Sequence, residues 1–213
     1  MRKIIPTILA HNKEEFNKRF EKLIKISKNL HIDFMDGKFV KSTGIKISQI
    51  PNLKNYNINF EAHLMTINPG KYLLLLKKKG FKKIIFHYEA IQEGKIISII
   101  KKIKSNNMKA IIALNPETQI NNIIPFLNKI SGVLVMGVYP GKENQKFISK
   151  VYEKIKGLRK INKKINIHVD GGVNLSNIKK LKMLGVNCIN SGSFISNSID
   201  PKRALRHLEK SFI

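Results

Sequence analysis

Short apolar runs alternate along the chain with longer amphipathic ones, and the alternation repeats eight times. Ile4 to Leu9 is the first apolar run, a strand. Behind it Phe16, Phe20, Leu23 and Ile24 recur at helical spacing, and Asn12 with Glu15 makes a capping-box pattern, predicting a helix through about Ser27. The second strand is expected over Leu30 to Met35, then a loop from Gly37 to Gly44 and a short helix near Lys46 to Leu53. The third strand covers Ile58 to Met65. Asn68-Pro69 reads as N-cap and first helical residue of a segment that ends at Lys79, where Gly80 stops it. Lys82 to His87 is the fourth strand, followed by a helix over about Gly94 to Asn106. Lys109 to Leu114 is the fifth, and Asn115-Pro116 opens another helix. Gly132 to Val138 is the sixth, with a loop from Tyr139 to Asn144 and a helix to about Ile161. Ile165 to Asp170 is the seventh, and Asn174 caps a helix to Leu184, ended by Gly185. Val186 to Asn190 is the eighth, and Asp200-Pro201 opens the last helix.

Eight strand–helix units joined by short links predict an α/β fold, a single-domain (β/α)8 TIM barrel over residues 1–213. The alternative is an open doubly wound sheet. That fold usually places a glycine-rich phosphate turn after its first strand, and Leu9-Ala10-His11-Asn12 has none. In a barrel the C-terminal ends of all strands meet on one face, where the sites lie.

Several polar groups stand where apolar runs stop. In His31-Ile32-Asp33-Phe34-Met35-Asp36-Gly37, side chains alternate, so His31, Asp33 and Met35 share a strand face. An imidazole and a carboxylate two residues apart on one face suit a metal ion, and such a carboxylate is also placed to take a proton from substrate. Glu61-Ala62-His63-Leu64-Met65, Leu134-Val135-Met136 and His168-Val169-Asp170-Gly171-Gly172 repeat the theme. In a barrel His31 with Asp33, His63, Met136 and Asp170 converge from four strands.

Composition changes this picture little. A hydrophobic content of 42% is that of a folded domain, and no apolar run reaches the roughly 18 residues of a membrane span. The first strand begins at once, with no signal-peptide pattern, and Cys188 is the only cysteine; both agree with a cytoplasmic protein. The net charge of +26 raises nucleic acid as a partner, but the lysines are spread over most helices. The densest run, Lys77-Lys78-Lys79, falls at a helix end, where cations suit the dipole. Tryptophan is absent, and aromatic residues do not interleave with the basic ones, which argues against single-strand binding. A positive field would still speed capture of an anionic substrate.

Along nearly its whole length the chain resembles the ribulose-phosphate 3-epimerases. Pro6-Thr7-Ile8-Leu9, His31 to Gly37, His63-Leu64-Met65, Asn115-Pro116, Met136 to Gly141, Gln145-Lys146-Phe147, Asp170-Gly171-Gly172-Val173 and Ser191-Gly192-Ser193 stand in that family's order and spacing. The resemblance implies a (β/α)8 barrel binding one divalent metal through His31, Asp33, His63 and Asp170, with Asp33 and Asp170 as the acid/base pair. Two imidazoles and two carboxylates suit Zn, Fe(II), Mn or Co, with zinc or iron favoured. It further implies that D-ribulose 5-phosphate and D-xylulose 5-phosphate, of the pentose phosphate pathway, are interconverted through an enediolate. Thr7, His63, Met35, Met65, Met136, Gly141, Gly171, Gly172, Gly192 and Ser193 would line the substrate, the glycines and Ser193 towards its phosphate. A homodimer or hexamer is implied too. The rivals are a 3-epimerase of a hexulose 6-phosphate such as allulose 6-phosphate, a decarboxylase or synthase, and an inactive basic barrel that binds nucleic acid. The decarboxylases and synthases carry an Asp-x-Lys-x-x-Asp strand pattern that is missing here.

Three stretches depart from the family. Thr7 replaces a serine but keeps a hydroxyl. Lys41-Ser42 replaces Pro-Asn. Where the family has Asn-Pro-Gly-Phe-Gly-Gly-Gln, this chain has Tyr139-Pro140-Gly141-Lys142-Glu143-Asn144-Gln145. Asn accepts a left-handed conformation and Glu does so poorly, so the phosphate grip is expected to change, with Lys142 as an alternative charged contact. Of the remaining histidines, His87 is expected in the pocket or its packing, His168 one layer below Asp170, His11 at the mouth and His207 on the surface of the last helix.

Overall fold

Parallel neighbours need a crossover long enough to return the chain, and each amphipathic segment supplies one. In the computed structural model, which describes residues 2–92 and 94–213, the strands are β1 Lys3–Ile8, β2 Asn29–Met35, β3 Asn59–Met65, β4 Lys83–His87, β5 Lys109–Leu114, β6 Gly132–Met136, β7 Ile167–Asp170 and β8 Cys188–Ser191. They pair in sequence order, all parallel, and β8 closes onto β1 with Ile189 opposite Ile4. The helices are α1 Lys13–Leu23, α2 Leu73–Lys79, α3 Ile96–Ser105, α4 Val151–Ile161, α5 Ile178–Met183, α6 Ser193–Ser196 and α7 Pro201–Phe212. The barrel is the expected one, and all eight expected strands are in it.

Local chemistry explains most boundaries. Asn12 Oδ1 accepts the Glu15 backbone N–H at 2.9 Å, while the Glu15 carboxylate turns to the N–H of His11, one residue outside the expected box. Asp200 caps α7 through the N–H of Arg203, with Pro201 behind it. Gly80 ends α2 at φ 104°, a conformation costly for any residue with a β-carbon. Three expected helices are instead 3₁₀ turns in whole or part. Residues Ile120–Phe126 form a 3₁₀ stretch, because Pro125 lacks the N–H that an α-helix would use there. Ile47–Gln49 and Leu53–Asn55 are two separate turns with Pro51 between them, and Pro69–Tyr72 precedes α2. α5 starts at Ile178, later than expected, since Asn174 spends its side chain on the N–H of Ser176. α6 was not foreseen: four residues carry too little pattern to read.

Period-2 alternation sorts the strand residues into two layers. Outward residues such as Ile32, Phe34, Phe60, Leu64, Ile84, Ile112 and Val169 pack under the helices in one continuous core. An aromatic group closes it between β3 and α1, with Phe60 at ring separations of 6.1 Å from Phe20, 6.3 Å from Tyr56 and 6.4 Å from Phe81. Inward, the barrel is split. On the side of β4 to β6 it is filled by Ile85, Ile111, Ala113, Leu134 and Met136. On the side of β7, β8, β2 and β3 it buries His168, Asp170, Asn190, His31, Asp33, Glu61 and His63.

Phe60 is 1% exposed at the centre of the aromatic group. Phe60→Ala is expected to cost about 3–5 kcal/mol, read by urea denaturation. A loss below about 1 kcal/mol would mean that the ring does not hold α1 to the sheet.

Candidate metal centre and active site

Alternation aims His31 and Asp33 inward from β2, and the register sets His63 of β3 opposite Asp33. Asp170 ends β7. The four side chains, all buried, bring one ligand atom each within 4.8 Å of one another. Asp33 Oδ1 lies 3.1 Å from His31 Nε2 and 2.8 Å from His63 Nδ1. Asp170 Oδ2 lies 3.8 Å and 3.6 Å from the same two nitrogens. Atoms bound about 2.0–2.2 Å from one tetrahedral ion stand roughly 3.3–3.6 Å apart, so this donor set fits a divalent metal site.

Each imidazole is turned to the centre by a carboxylate behind it. His31 Nδ1 meets Glu61 Oε1 at 2.9 Å; with the proton on that nitrogen, Nε2 faces inward and its lone pair would serve an ion. Glu61 is 2% exposed, and its charge is met by Lys83 at 3.2 Å and by the Asn190 amide at 2.6 Å. His63 Nε2 meets His87 Nε2 at 2.9 Å, and His87 Nδ1 reaches Glu89 Oε2 at 3.3 Å. With Glu89 accepting, each proton in this relay points outward, and the His63 Nδ1 lone pair would then face an ion at the centre.

The protein groups also drive the two aspartates apart. Without an ion the two imidazoles turn N–H groups to Asp33 instead: burial would raise its pKa, but hydrogen bonds from His31 and His63 outweigh this and hold Asp33 well below the usual carboxylate range. Burial raises Asp170 to about 6; the Asp33 charge adds to this, and the two histidines offset only part. In the ion-free centre Asp170 therefore binds a proton more readily than Asp33, the direction of difference that an acid/base pair uses.

Thr7, Met65, Met136, Gly141, Gly171, Gly172, Gly192 and Ser193 line one cleft with Asp33, His63 and Asp170. Met35 stands beside that lining, packed with Leu9 and Met65 under Phe39 and Val40. At Gly172, φ is 68° and a β-carbon would come within 2.8 Å of the Phe147 Cα, so only glycine fits. Asp36 serves the frame, accepting the N–H groups of Lys38, Phe39 and Ile67 at 2.9–3.0 Å. His87 is in the pocket packing and His168 lies one layer down, both as expected. His11 is exposed, its Nδ1 on Thr43 O, and His207 is exposed on α7.

In the loop after β6, Asn144 takes the left-handed conformation at φ 61°, and Glu143 does not. The Glu143 carboxylate is held by Arg19 of α1 at 2.8 Å and 3.0 Å. Sequence reasoning missed Glu61, Asn190, the His87–Glu89 relay and Arg19. Glu61 had a signal, since it sits two residues before His63 and so shares its face. Arg19 had none: it meets Glu143 across 124 residues of chain.

A closed parallel barrel with buried imidazoles and carboxylates at the C-terminal mouth defines a (β/α)8 enzyme with a fit for a divalent ion. The sequence model described as "Ribulose-phosphate 3 epimerase family" matches residues 3–196, and the chain belongs to that family, a family of isomerases. It is 32% identical over 214 aligned positions to "Ribulose-phosphate 3-epimerase" of Schizosaccharomyces pombe, covering 98% of this chain and 93% of that one. The "Ribulose-phosphate 3-epimerase, cytoplasmic isoform" of Oryza sativa subsp. japonica gives the same identity and coverage. Among solved structures, 3-hexulose-6-phosphate synthase of Salmonella typhimurium superposes with a TM-score of 0.73 at 16% identity, over 100% of this chain and 98% of that one. At that identity the likeness is one of fold.

His168 is 3% exposed with no partner for Nδ1, and burial lowers it to about 4. Between about pH 6.5 and 4 the unfolded chain therefore binds more protons at this residue, so its contribution is intact above 6.5 and lost as pH falls through 4. His168→Gln removes that loss. Relative to the unmodified chain, the variant is expected to gain up to about 3 kcal/mol across this window in denaturation experiments. An unchanged difference would show that His168 is charged in the fold.

Proposed function

We propose that this protein is a metal-dependent 3-epimerase of ketose phosphates, interconverting D-ribulose 5-phosphate and D-xylulose 5-phosphate. The observation that carries the reading is the meeting of two buried carboxylates, Asp33 and Asp170, with two buried imidazoles, His31 and His63, one ligand atom of each within 4.8 Å of the others. Family membership and the names of the relatives support the substrate.

His31 through Nε2, His63 through Nδ1, Asp33 and Asp170 would hold the ion. A divalent cation there supplies a positive charge that steadies the negative charge developing on the ketose oxygens when C3 loses its proton. The rest is done by the chain. Asp33, ionised, takes the C3 proton from one face; Asp170, protonated, delivers one to the opposite face, and the roles reverse with direction. Two acids on opposite sides remove any need to turn the intermediate over. Met65 and Met136 wall the cleft with thioethers, which exclude water and offer no stray proton. The Thr7 hydroxyl, 3% exposed and without a partner among the described residues, is available to a substrate oxygen.

A hexulose 6-phosphate would use the same acids, and the altered loop at 139–145 is where a preference would arise. Turnover on the two chain lengths separates them. A cytoplasmic setting fits the lone buried Cys188 and the rice relative's name.

Asp33→Asn and Asp170→Asn are each expected to slow exchange of the C3 proton with deuterated water at least 100-fold, read by NMR. Retained exchange in both would rule out the two-acid scheme. Chelation should abolish turnover and added Zn, Fe(II), Mn or Co should restore it. Glu61→Gln is expected to weaken metal affinity about 10–100-fold in competition with a chromophoric chelator, because His31 loses its orienting charge. Unaltered affinity would reduce Glu61 to a packing role.

A further inference from the structure

The loop that departs from the family carries its own anion into the cleft. Glu143 lines the same cavity as Asp33, His63 and Asp170, and its Oε1 lies 3.5 Å from where a β-carbon on Gly192 would stand. The Thr7 side chain borders the same spot, its Cβ 3.8 Å from that position, with a buried hydroxyl that none of the described residues answers. From the other side Arg19 grips Glu143 with two parallel N–H donors, at 2.8 Å and 3.0 Å, and is itself steadied by Glu15 at 2.9 Å. The Arg19 and Glu143 side chains are only 14% and 17% exposed.

This use of charge is unusual for the molecule. Of 40 basic residues against 14 acidic ones, the described Lys and Arg side chains that pair with carboxylates are Arg19, Lys83 and Lys156. Arg19 alone takes two carboxylates, and one of them hangs on a loop held by few other ties. Gly141 of that loop packs near Val40, Tyr139 donates its hydroxyl to Glu117, and Gln145 braces the loop internally by donating to Tyr139 O and Lys142 O. A guanidinium fork accepts a phosphate in the same bidentate way as a carboxylate. A phosphate entering beside Glu143 would meet a like charge in a desolvated space; a phosphate that takes the place of Glu143 would meet a preset fork.

We propose that Glu143 is a resident anion at the phosphate end of the cleft, and that the phosphate group of the substrate displaces it and pairs with Arg19. This rests on the ketose-phosphate reading above and adds the group that receives the phosphate. Arg19 then replaces, with one side chain, a grip that the family's loop glycines would otherwise share. Lys142 is in the same lining.

The test uses the full-length protein and inorganic phosphate, titrated calorimetrically at constant ionic strength, alongside KM for ribulose 5-phosphate. Glu143→Gln removes the competitor and is expected to tighten phosphate binding at least 10-fold and lower KM. Arg19→Met removes the receiver and is expected to weaken phosphate binding at least 10-fold and raise KM, with Arg19→Lys between the two. The opposite signs are decisive. If the pair only latches the loop, breaking it from either end gives shifts of the same sign, and the proposal falls. Should Arg19→Met fail to fold, Glu143→Gln decides alone: phosphate affinity unchanged or weaker overturns the proposal. Opposite shifts in a protein that turns over no ketose phosphate uphold the anion exchange and refute the epimerase reading. Turnover with same-sign shifts does the reverse.

Discussion

The structure depends on keeping ionisable groups buried at the mouth of the barrel without leaving one uncompensated. His31, Asp33, Glu61 and His63 are each 4% exposed or less. An isolated buried charge costs several kcal/mol, and breaking a buried pair by removing one member costs about 3–5 kcal/mol. The cost is met by contact: every nitrogen of His31 and His63 has a partner within 3.1 Å. Asp170 is the exception, held at 3.6–3.8 Å from the imidazoles, and its proton affinity rises accordingly. The asymmetry between the two aspartates thus comes from distance, since both sit on the same inner face.

That arrangement in turn requires the barrel to be divided. A ring of eight strands filled with apolar layers would leave nothing to orient the imidazoles; one filled with polar groups would have no core. Here Ile85, Ile111, Ala113 and Leu134 fill one half of the lumen, and the Glu61–Lys83–Asn190 layer fills the other beneath the site. Lys83 reaches Glu61 from β4, at the bottom of the barrel, with 24% of its side chain exposed. The charge compensating the deepest carboxylate is therefore tethered to solvent, which spares the interior a second fully desolvated ion.

Much of this was legible before the fold. Strands carry a strict alternation and end at turn residues, so their number, order and inward faces could be read, and with them the meeting of His31, Asp33, His63 and Asp170. Helix type was less legible. Pro125 and Pro51 break hydrogen-bond ladders without erasing the apolar spacing that predicts a helix, and the result is 3₁₀ turns. Glu61 was visible as a face-mate of His63, but its role needs Asn190 and Lys83, which only barrel closure brings near. The loop after β6 was the least legible. A substitution of glycine by Glu143 reads as backbone strain in one dimension, whereas in three Asn144 takes the strained conformation and Glu143 has an arginine to meet.

The +26 charge can be placed in the same terms. A field of that size draws anions to the whole surface and does not choose among them. Selection has to come from groups that are desolvated and fixed in direction, where an ionic contact is neither screened nor shared with water. Spread lysines meet neither condition. Arg19 meets both: it is partly buried, clamped by Glu15, and paired with Glu143 of the cleft lining, and although burial works against its charge, Glu143, Glu15 and more distantly Asp33 together outweigh that and hold it protonated. The general field draws anions in; a fork already matched to the carboxylate of Glu143, which lines the cleft, is the place proposed for a substrate phosphate to be fixed in direction.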